Sequence, residues 1–395
     1  MRYFFDIHCH LMNFDEPDFI MFMKQIAGNI SKEAFNSMLS PDYLLDLKNK
    51  QLLNKIGNLV NVMSHSQSQM AEVIERDLYG EFLSDDEKAF AAQGHFTFSG
   101  KSFDKYVICP MVMDFTAIQD LEDLYYNSKS SKNAFWYADK MLNSIALFYK
   151  NNPESIIEIL PFAGINTPAY SLKEIDQWLE QYFGNYNPKE HYQDHKSPHF
   201  FGIKFYPPLG FAPWPQDPDE REKVKRIYHY AQKYHIPITT HCDDEGFRTT
   251  DIEVSHHNTN PETWRDVLKN YPHLKLNFAH FGRQYQRTHF LRKQETWRDT
   301  IIALALEYEQ VYTDISFNGV STDYYTQLSD KLKHLSEKEK NGISKRIMFG
   351  SDFMINLSKI KSYHHYLKQF EEAPLDPQDK FTYAVDNCVQ FLFEP

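Results

Sequence analysis

What most restricts this chain is a repeated alternation. Eight short apolar runs, rich in β-branched and aromatic residues, are separated by longer amphipathic stretches. The runs are Tyr3–His8, Tyr106–Met113, Ser155–Phe162, Phe200–Tyr206, Pro237–His241, Leu274–His280, Val311–Ser316 and Arg346–Gly350. Most are apolar almost throughout, which is the pattern of strands covered on both faces in a parallel sheet. Between them the sequence turns helical. Ser171 and Glu174 form a capping-box pattern ahead of Ile175, Trp178 and Leu179. Glu222–Tyr234 places Val224, Ile227, Tyr228 and Ala231 on one face. Helices are expected again over Glu262–Asn270 and Thr300–Glu309, before the sixth and seventh strands. Strand and helix repeated eight times is the order of an α/β fold of the (β/α)8 TIM-type barrel kind. A doubly wound open sheet is the alternative, but it gives no reason for eight strands and usually carries a glycine-rich first turn, which this chain lacks.

At 395 residues the chain is long for one domain, yet barrels absorb such length in their loops, so residues 1–395 are read as a single unit. The anomaly is the connection from about Leu11 to Lys105, far beyond an ordinary barrel loop. It carries helix signals of its own: Ser40-Pro41 suits an N-cap followed by proline, ahead of Tyr43, Leu44 and Leu47. Polar Asn61–Gln69 interrupts that region. Residues 11–105 are therefore expected to form a helical insertion over the barrel mouth, shaping a pocket or making a homo-oligomer contact. A smaller stretch around Gly184–Pro198, rich in Asn, Tyr, His and Pro, reads as a loop.

Hydrophobic residues at 42% suffice for a large core, and the net charge of −12 argues against nucleic acid or an anionic membrane as partner. No run approaches the roughly 18 apolar residues of a spanning helix. The N-terminus, MRYFFDIHCH, lacks a signal-peptide pattern. Cys9, Cys109, Cys242 and Cys388 form no Cys-x-x-Cys pair. They are expected to be free thiols in a reducing cytoplasm.

Chemistry gathers at the ends of the expected strands. His8 and His10 stand two apart after the first, a spacing that puts both imidazoles on one side of an extended chain. His241 closes the fifth run, His280 the sixth, and Asp352 follows the eighth. In a barrel all these positions face one rim, where the active sites of this fold are built. Imidazoles with a carboxylate suit zinc first and also accept manganese or iron. One or two ions fit, and an all-oxygen calcium site does not. Lys204 and Tyr206 alternate into the barrel if Ile203 and Phe205 face the helices, which makes Tyr206 a candidate substrate-binding residue. Arg283 and Arg248 are candidates to hold a substrate carboxylate, with Trp214 as an apolar wall. Asp114 and Asp314 lie close enough to reach the pocket. Asp243, Asp244 and Glu245 read as a solvated acidic loop, Cys9 and Cys242 as packing residues, and His65, His95, His256 and His257 find no convergent partner.

Taken in this order, the motifs resemble those of the amidohydrolase superfamily, in the branch of amidohydrolase-related metal-dependent hydrolases and decarboxylases. Asp6-Ile7-His8-Cys9-His10 resembles its strand-one metal pair, and Phe201–Pro208 its strand-four segment. Asn260–Trp264 through Asn277–Gly282 is similar to its strand-six unit, and Phe349–Asp352 to its strand-eight motif. Asn387–Phe393 looks like its closing helix. The resemblance implies that His8, His10, His241 and Asp352 hold the principal metal. It implies that His280 binds a second ion or orients substrate and water, and that Asp352 shuttles a proton. Lys204 would bridge two metals as a carbamate in some branches. Tyr206 stands where the mononuclear branch often has histidine, which leaves the metal count open. The expected activity is hydrolysis of an amide, lactone or similar carbonyl bond in a small molecule. Non-oxidative decarboxylation of an aromatic or unsaturated acid needs the same ligands and is the alternative. A third reading, a metal-binding barrel without catalysis, would be marked by loss of Asp352 or a histidine, and all are present.

Overall fold

A computed structural model describes residues 2–16, 57–84, 87–116, 132–191, 198–244, 246–284 and 296–395. The first apolar run forms strand β1 (Tyr3–Cys9). Next come three short strands that the sequence reading did not contain, β2 (Ala91–Ala92), β3 (His95–Phe98) and β4 (Lys101–Phe103), paired antiparallel. The other seven runs supply β5 (Lys105–Pro110), β6 (Ile157–Ile159), β7 (Phe162–Gly164), β8 (Gly202–Phe205), β9 (Ile238–Thr240), β10 (Leu276–Phe278), β11 (Val311–Asp314) and β12 (Ile347–Met348). Run three gives two strands because Pro161 has no N–H to donate to the ladder. β6 pairs with β5, β7 with β8, and the Pro161 carbonyl instead accepts the Phe201 N–H at 2.8 Å.

All strand pairs outside β2–β4 are parallel, in a sheet β1-β5-β6 and a larger sheet from β7 in sequence to β12. Two seams connect them. Met111 bridges Phe162 in parallel, and the Val112 N–H reaches the Phe162 carbonyl at 3.0 Å. At the other side the Ile7 N–H meets the Phe349 carbonyl at 3.0 Å, and the Ser351 N–H meets that of His8 at 3.1 Å. Phe5, Ile7, Val107, Met111, Phe162, Phe201, Tyr312 and Met348, drawn from both sheets, pack into one cluster with Cys388, Phe391 and Leu392 of the last helix, Asn387–Phe393. That helix is tied down by Lys275, whose buried ammonium donates to the carbonyls of Phe391 (3.1 Å), Gln390 (3.4 Å) and Glu394. A cation suits the C-terminal end of a helix, where carbonyls lack partners.

Register explains which side chains face that cluster. Asp6 pairs with Ile108 and Cys9 with Pro110, so β1 carries one residue more than β5 over this stretch. An extra residue of this kind is a β-bulge, and it reverses the alternation beyond it. Phe5 and Ile7 point into the cluster and Phe4 away from it. After the bulge Cys9 joins Phe4 on the helix-facing side, leaving His8 and His10 on the other.

Around the sheet the helices follow the expected faces. Helix α1 (Gln67–Leu78) starts at Ser66 with a capping box to Gln69 and packs on α2 (Ala134–Asn151). Helix α3 (Leu172–Phe183) has the Ser171–Glu174 capping box and buries Ile175, Trp178 and Leu179. Helix α4 begins earlier than the pattern suggested, at Pro218 after the Asp217 N-cap, and buries Val224, Ile227, Tyr228 and Ala231.

The insertion is not helical throughout its described part. Residues 57–63 are helical, the break falls at 64–66, and after α1 the chain turns to β2–β4. This small sheet lays Phe96, Phe98 and Phe103 against Phe4, with ring centroids 4.9, 4.8 and 5.5 Å away. It therefore sits on the flank of β1 and β5. The Ser40-Pro41 helix start lies outside the described residues. No helix among the described residues is long and apolar enough to cross a membrane.

Candidate metal centre

Backbone geometry at the strand ends brings the polar side chains together. His280 and Asp352 have φ of 61° and 58°, a left-handed conformation unusual for residues with a Cβ. Phe281 (49°) and Phe317 (61°) share it. Strain of this kind collects where a site needs side chains aimed against the backbone's preference. The turn carrying Asp352 is fixed by Asp6. Its carboxylate accepts the Ser351 N–H (2.8 Å), the Ser351 hydroxyl (2.5 Å) and the Tyr363 hydroxyl (2.7 Å). Burial pushes the Asp6 carboxyl up to about 7, partly offset by these donors. Glycine at position 350 is required by close approach, since a Cβ there would lie 2.9 Å from that of His8.

Hydrogen-bond partners decide which ring nitrogens are acceptors. The His8 Nδ1 lies 3.1 Å from Asp314 Oδ2, and the His10 Nδ1 lies 2.9 Å from the Met111 carbonyl. Carboxylate and carbonyl oxygens only accept, so both Nδ1 atoms carry the proton and both Nε2 atoms present lone pairs. Those lone pairs converge on Asp352 Oδ1, at 3.6 Å from His8 and 3.3 Å from His10. Burial, reinforced by the Lys204 cation, pushes His8 down to about 3 and keeps its imidazole neutral. The Asp352 carboxyl lies below its ordinary value, with burial opposing that direction. Two nitrogen lone pairs and a carboxylate facing one another repel unless something positive sits among them; the Lys204 ammonium meets the His8 lone pair at 3.4 Å, and the His10 lone pair faces the carboxylate. The donor set therefore fits a divalent cation, and the outer bonds to Asp314 and Met111 are those that orient ligating histidines.

His8, His280 and Asp314 form a second close group of this type. Here Asp314 already accepts five donors: His8 Nδ1, the Asn277 amide (2.7 Å), the N–H groups of His280 and Ser316 (3.1 Å each), and the Ser316 hydroxyl. It is better matched to holding His8 than to holding an ion. The His280 Nδ1 faces the Ser316 carbonyl (3.2 Å), so it is the donor, and its Nε2 takes the proton of His241 Nδ1 at 3.2 Å. The His241 Nε2 is thereby an acceptor, beside Gly246.

Of the remaining candidates, Lys204 is buried with its ammonium 3.4 Å from His8 Nε2, and burial lowers it to about 8. Ile203 and Phe205 face the helices. A cavity of about 170 Å3 opens over His10, Tyr206, His241, His280 and Asp352, walled by Met12, Met113, Phe247, Phe317 and Ile355, with Lys359 also on its lining. Tyr206 stacks on His241 with centroids 4.4 Å apart. Arg283, Arg248 and Trp214 are not on the lining. Arg283 stacks on Phe317 at 5.1 Å, and Trp214 packs under Arg221. Asp243, read as part of a solvated loop, is buried and lines the cavity. Asp114 is buried among Thr116, Asn166 and Tyr170. The Cys242 thiol donates to the Thr259 carbonyl, and His256 stacks on Trp297.

Asp6, Ser316 and the Met111 carbonyl escaped the sequence reading. Asp6 was visible only as a member of the Asp-x-His motif, and a backbone carbonyl leaves no trace in side-chain identity.

This is an α/β fold with a large parallel sheet and two close His/His/Asp groups at its strand ends, of which His8, His10 and Asp352 form the one matched to a divalent metal. The sequence pattern of the amidohydrolase family matches residues 5–393, so the chain belongs to that family. No curated protein matches it. Among solved structures it is similar to a 4-oxalomesaconate hydratase from Rhodopseudomonas palustris, at 14% identity over 98% of this chain and 95% of that one, with a TM-score of 0.47. An amidohydrolase from Burkholderia multivorans with bound zinc matches at 9% identity over 99% of each chain, TM-score 0.46. A dihydroxybenzoic acid decarboxylase from Polaromonas with bound manganese matches at 12% identity, over 99% of this chain and 96% of that one, TM-score 0.45.

Proposed function

We propose that the chain is a metal-dependent hydrolase that cleaves an amide, lactone or similar carbonyl bond of a small molecule, at one rim of a closed (β/α)8 barrel. The two hydrogen-bonded seams between the sheets support closure. One observation carries the functional reading: His8 and His10, each fixed in the Nδ1–H form, turn their Nε2 lone pairs onto Asp352. These three residues would hold the ion, with His241 beside them as a fourth ligand. Zinc is the first choice for two imidazoles and a carboxylate. A bound divalent ion would lower the pKa of water and polarise a carbonyl.

The chain's own residues do the rest. Asp352, held below the usual carboxylate range, is ionised at neutral pH and takes a proton from the attacking water, then returns it to the leaving group. His280, also kept neutral by burial, fixes the tautomer of His241 and thereby the face it offers to the cavity. The apolar walls exclude bulk water from the reacting bond.

The test is turnover of a panel of lactones, amides and aromatic acids by zinc-loaded protein and by Asp352→Asn. The variant should keep substantial zinc and lose most turnover. Unchanged activity would reject the proton role. Release of carbon dioxide from an aromatic acid without hydrolysis elsewhere in the panel would replace hydrolysis by decarboxylation.

A further inference from the structure

We propose that the Tyr206 hydroxyl is the hydrogen-bond donor to a substrate oxygen, making it a catalytic residue of this site and fixing the ligand class as one with a carbonyl, carboxylate or oxyanion on an apolar body. The inference rests on the reading of this cavity as the substrate site.

Tyr206 follows β8 directly, and its ring lies on the cavity wall, stacked on His241 at 33°. Its hydroxyl oxygen accepts the Phe247 N–H at 2.9 Å. A phenol has one proton to give, and with the oxygen already acting as acceptor that proton must point elsewhere. Among the described residues no group accepts it. A polar proton left without an acceptor in a walled site costs stability unless a ligand or water takes it.

The loop over Tyr206 is built to touch the hydroxyl. Gly246 has φ of 116°, and a Cβ there would stand 2.3 Å from the Tyr206 oxygen and 3.2 Å from His241 Nε2. Only glycine allows that approach. Gly246 and Phe247 both line the cavity, so the hydroxyl they hold lies at its wall alongside His241 and Asp352. The same lining includes Met113, Phe317 and Ile355, which offer contact to an apolar body. A fixed O–H donor next to the proposed ion site is placed to stabilise negative charge developing on a substrate oxygen, and such preorganised donors are a large source of rate enhancement.

The test uses Tyr206→Phe, which deletes the hydroxyl and keeps the ring. Binding of benzoate and of toluene is measured by calorimetry on wild type and variant, both zinc-loaded and zinc-free, with zinc content determined in parallel. Benzoate affinity should fall about 10-fold or more in the variant, the effect of losing a donor to a charged oxygen, while toluene binding stays unchanged. Equal benzoate affinity in both proteins overturns the inference. So does a parallel loss for toluene, which would make Tyr206 a packing residue, and so does failure of wild type to bind benzoate. Absence of zinc uptake by wild type is a separate result that removes the metal reading, while the zinc-free titrations still decide the role of Tyr206.

Discussion

Replacing Asp314 by asparagine should weaken metal binding without altering any proposed ligand. In the structure Asp314 takes five donors, and the one from His8 Nδ1 decides which nitrogen of that ring faces Asp352. An asparagine amide keeps one acceptor oxygen but turns an NH2 group toward the other donors. At least one of the five contacts then becomes donor against donor, and His8 loses its charged anchor. Outer partners of ligating histidines contribute about 10- to 100-fold to metal affinity, or about 1.4–2.7 kcal/mol. The assay is competition of zinc-loaded protein against a chromophoric chelator at fixed pH, with circular dichroism to establish that the variant is folded. Affinity equal to wild type in a folded variant would refute the assigned tautomer of His8. A loss beyond about 1,000-fold would refute it differently, by making Asp314 a ligand in its own right, since that far exceeds what an outer partner supplies.

Replacing His8 and His10 together by alanine should abolish stoichiometric zinc, measured by elemental analysis; one retained equivalent would place the metal elsewhere. Gly246→Ala, forced to a φ of 116° and into the Tyr206 hydroxyl, should cost about 1–3 kcal/mol, read from urea unfolding. Phe391→Ala should cost about 3–5 kcal/mol, because the ring is fully buried against Phe162 and Tyr312; a loss under 1 kcal/mol would deny the last helix its place in the core. Glu16, which burial pushes up to about 7 despite Lys140 at 3.0 Å, binds a proton more readily folded than unfolded. Its contribution is therefore full below about 4.5 and is lost as the pH rises towards 7, a fall of at most about 3 kcal/mol. Glu16→Gln should flatten that part of the urea stability profile.

The order and kind of the main strands are written in the sequence, since burial on both faces shows as unbroken apolar runs; their number is one more than the runs, because Pro161 splits the third into β6 and β7. The sequence also determined that histidines 8, 10, 241 and 280 and aspartate 352 would stand at strand ends, because that is a matter of position along the chain. The Ser171–Glu174 cap and the buried face of α4 were legible for the same reason: both are local patterns within a few residues. Tertiary structure decided what depends on contacts between distant segments. Which nitrogen of His8 carries the proton is set by Asp314, some 306 residues away. The bulge that turns His8 inward shows only in the register against β5. The antiparallel β2–β4 sheet was missed because its strands are buried on one face only and so carry no unbroken apolar run. Arg283, Arg248 and Trp214 stand close in sequence to elements that form the site, yet the fold turns them from its lining and brings in Phe247, Phe317 and Lys359. Proximity along a chain constrains distance and leaves direction free, and direction is supplied by packing.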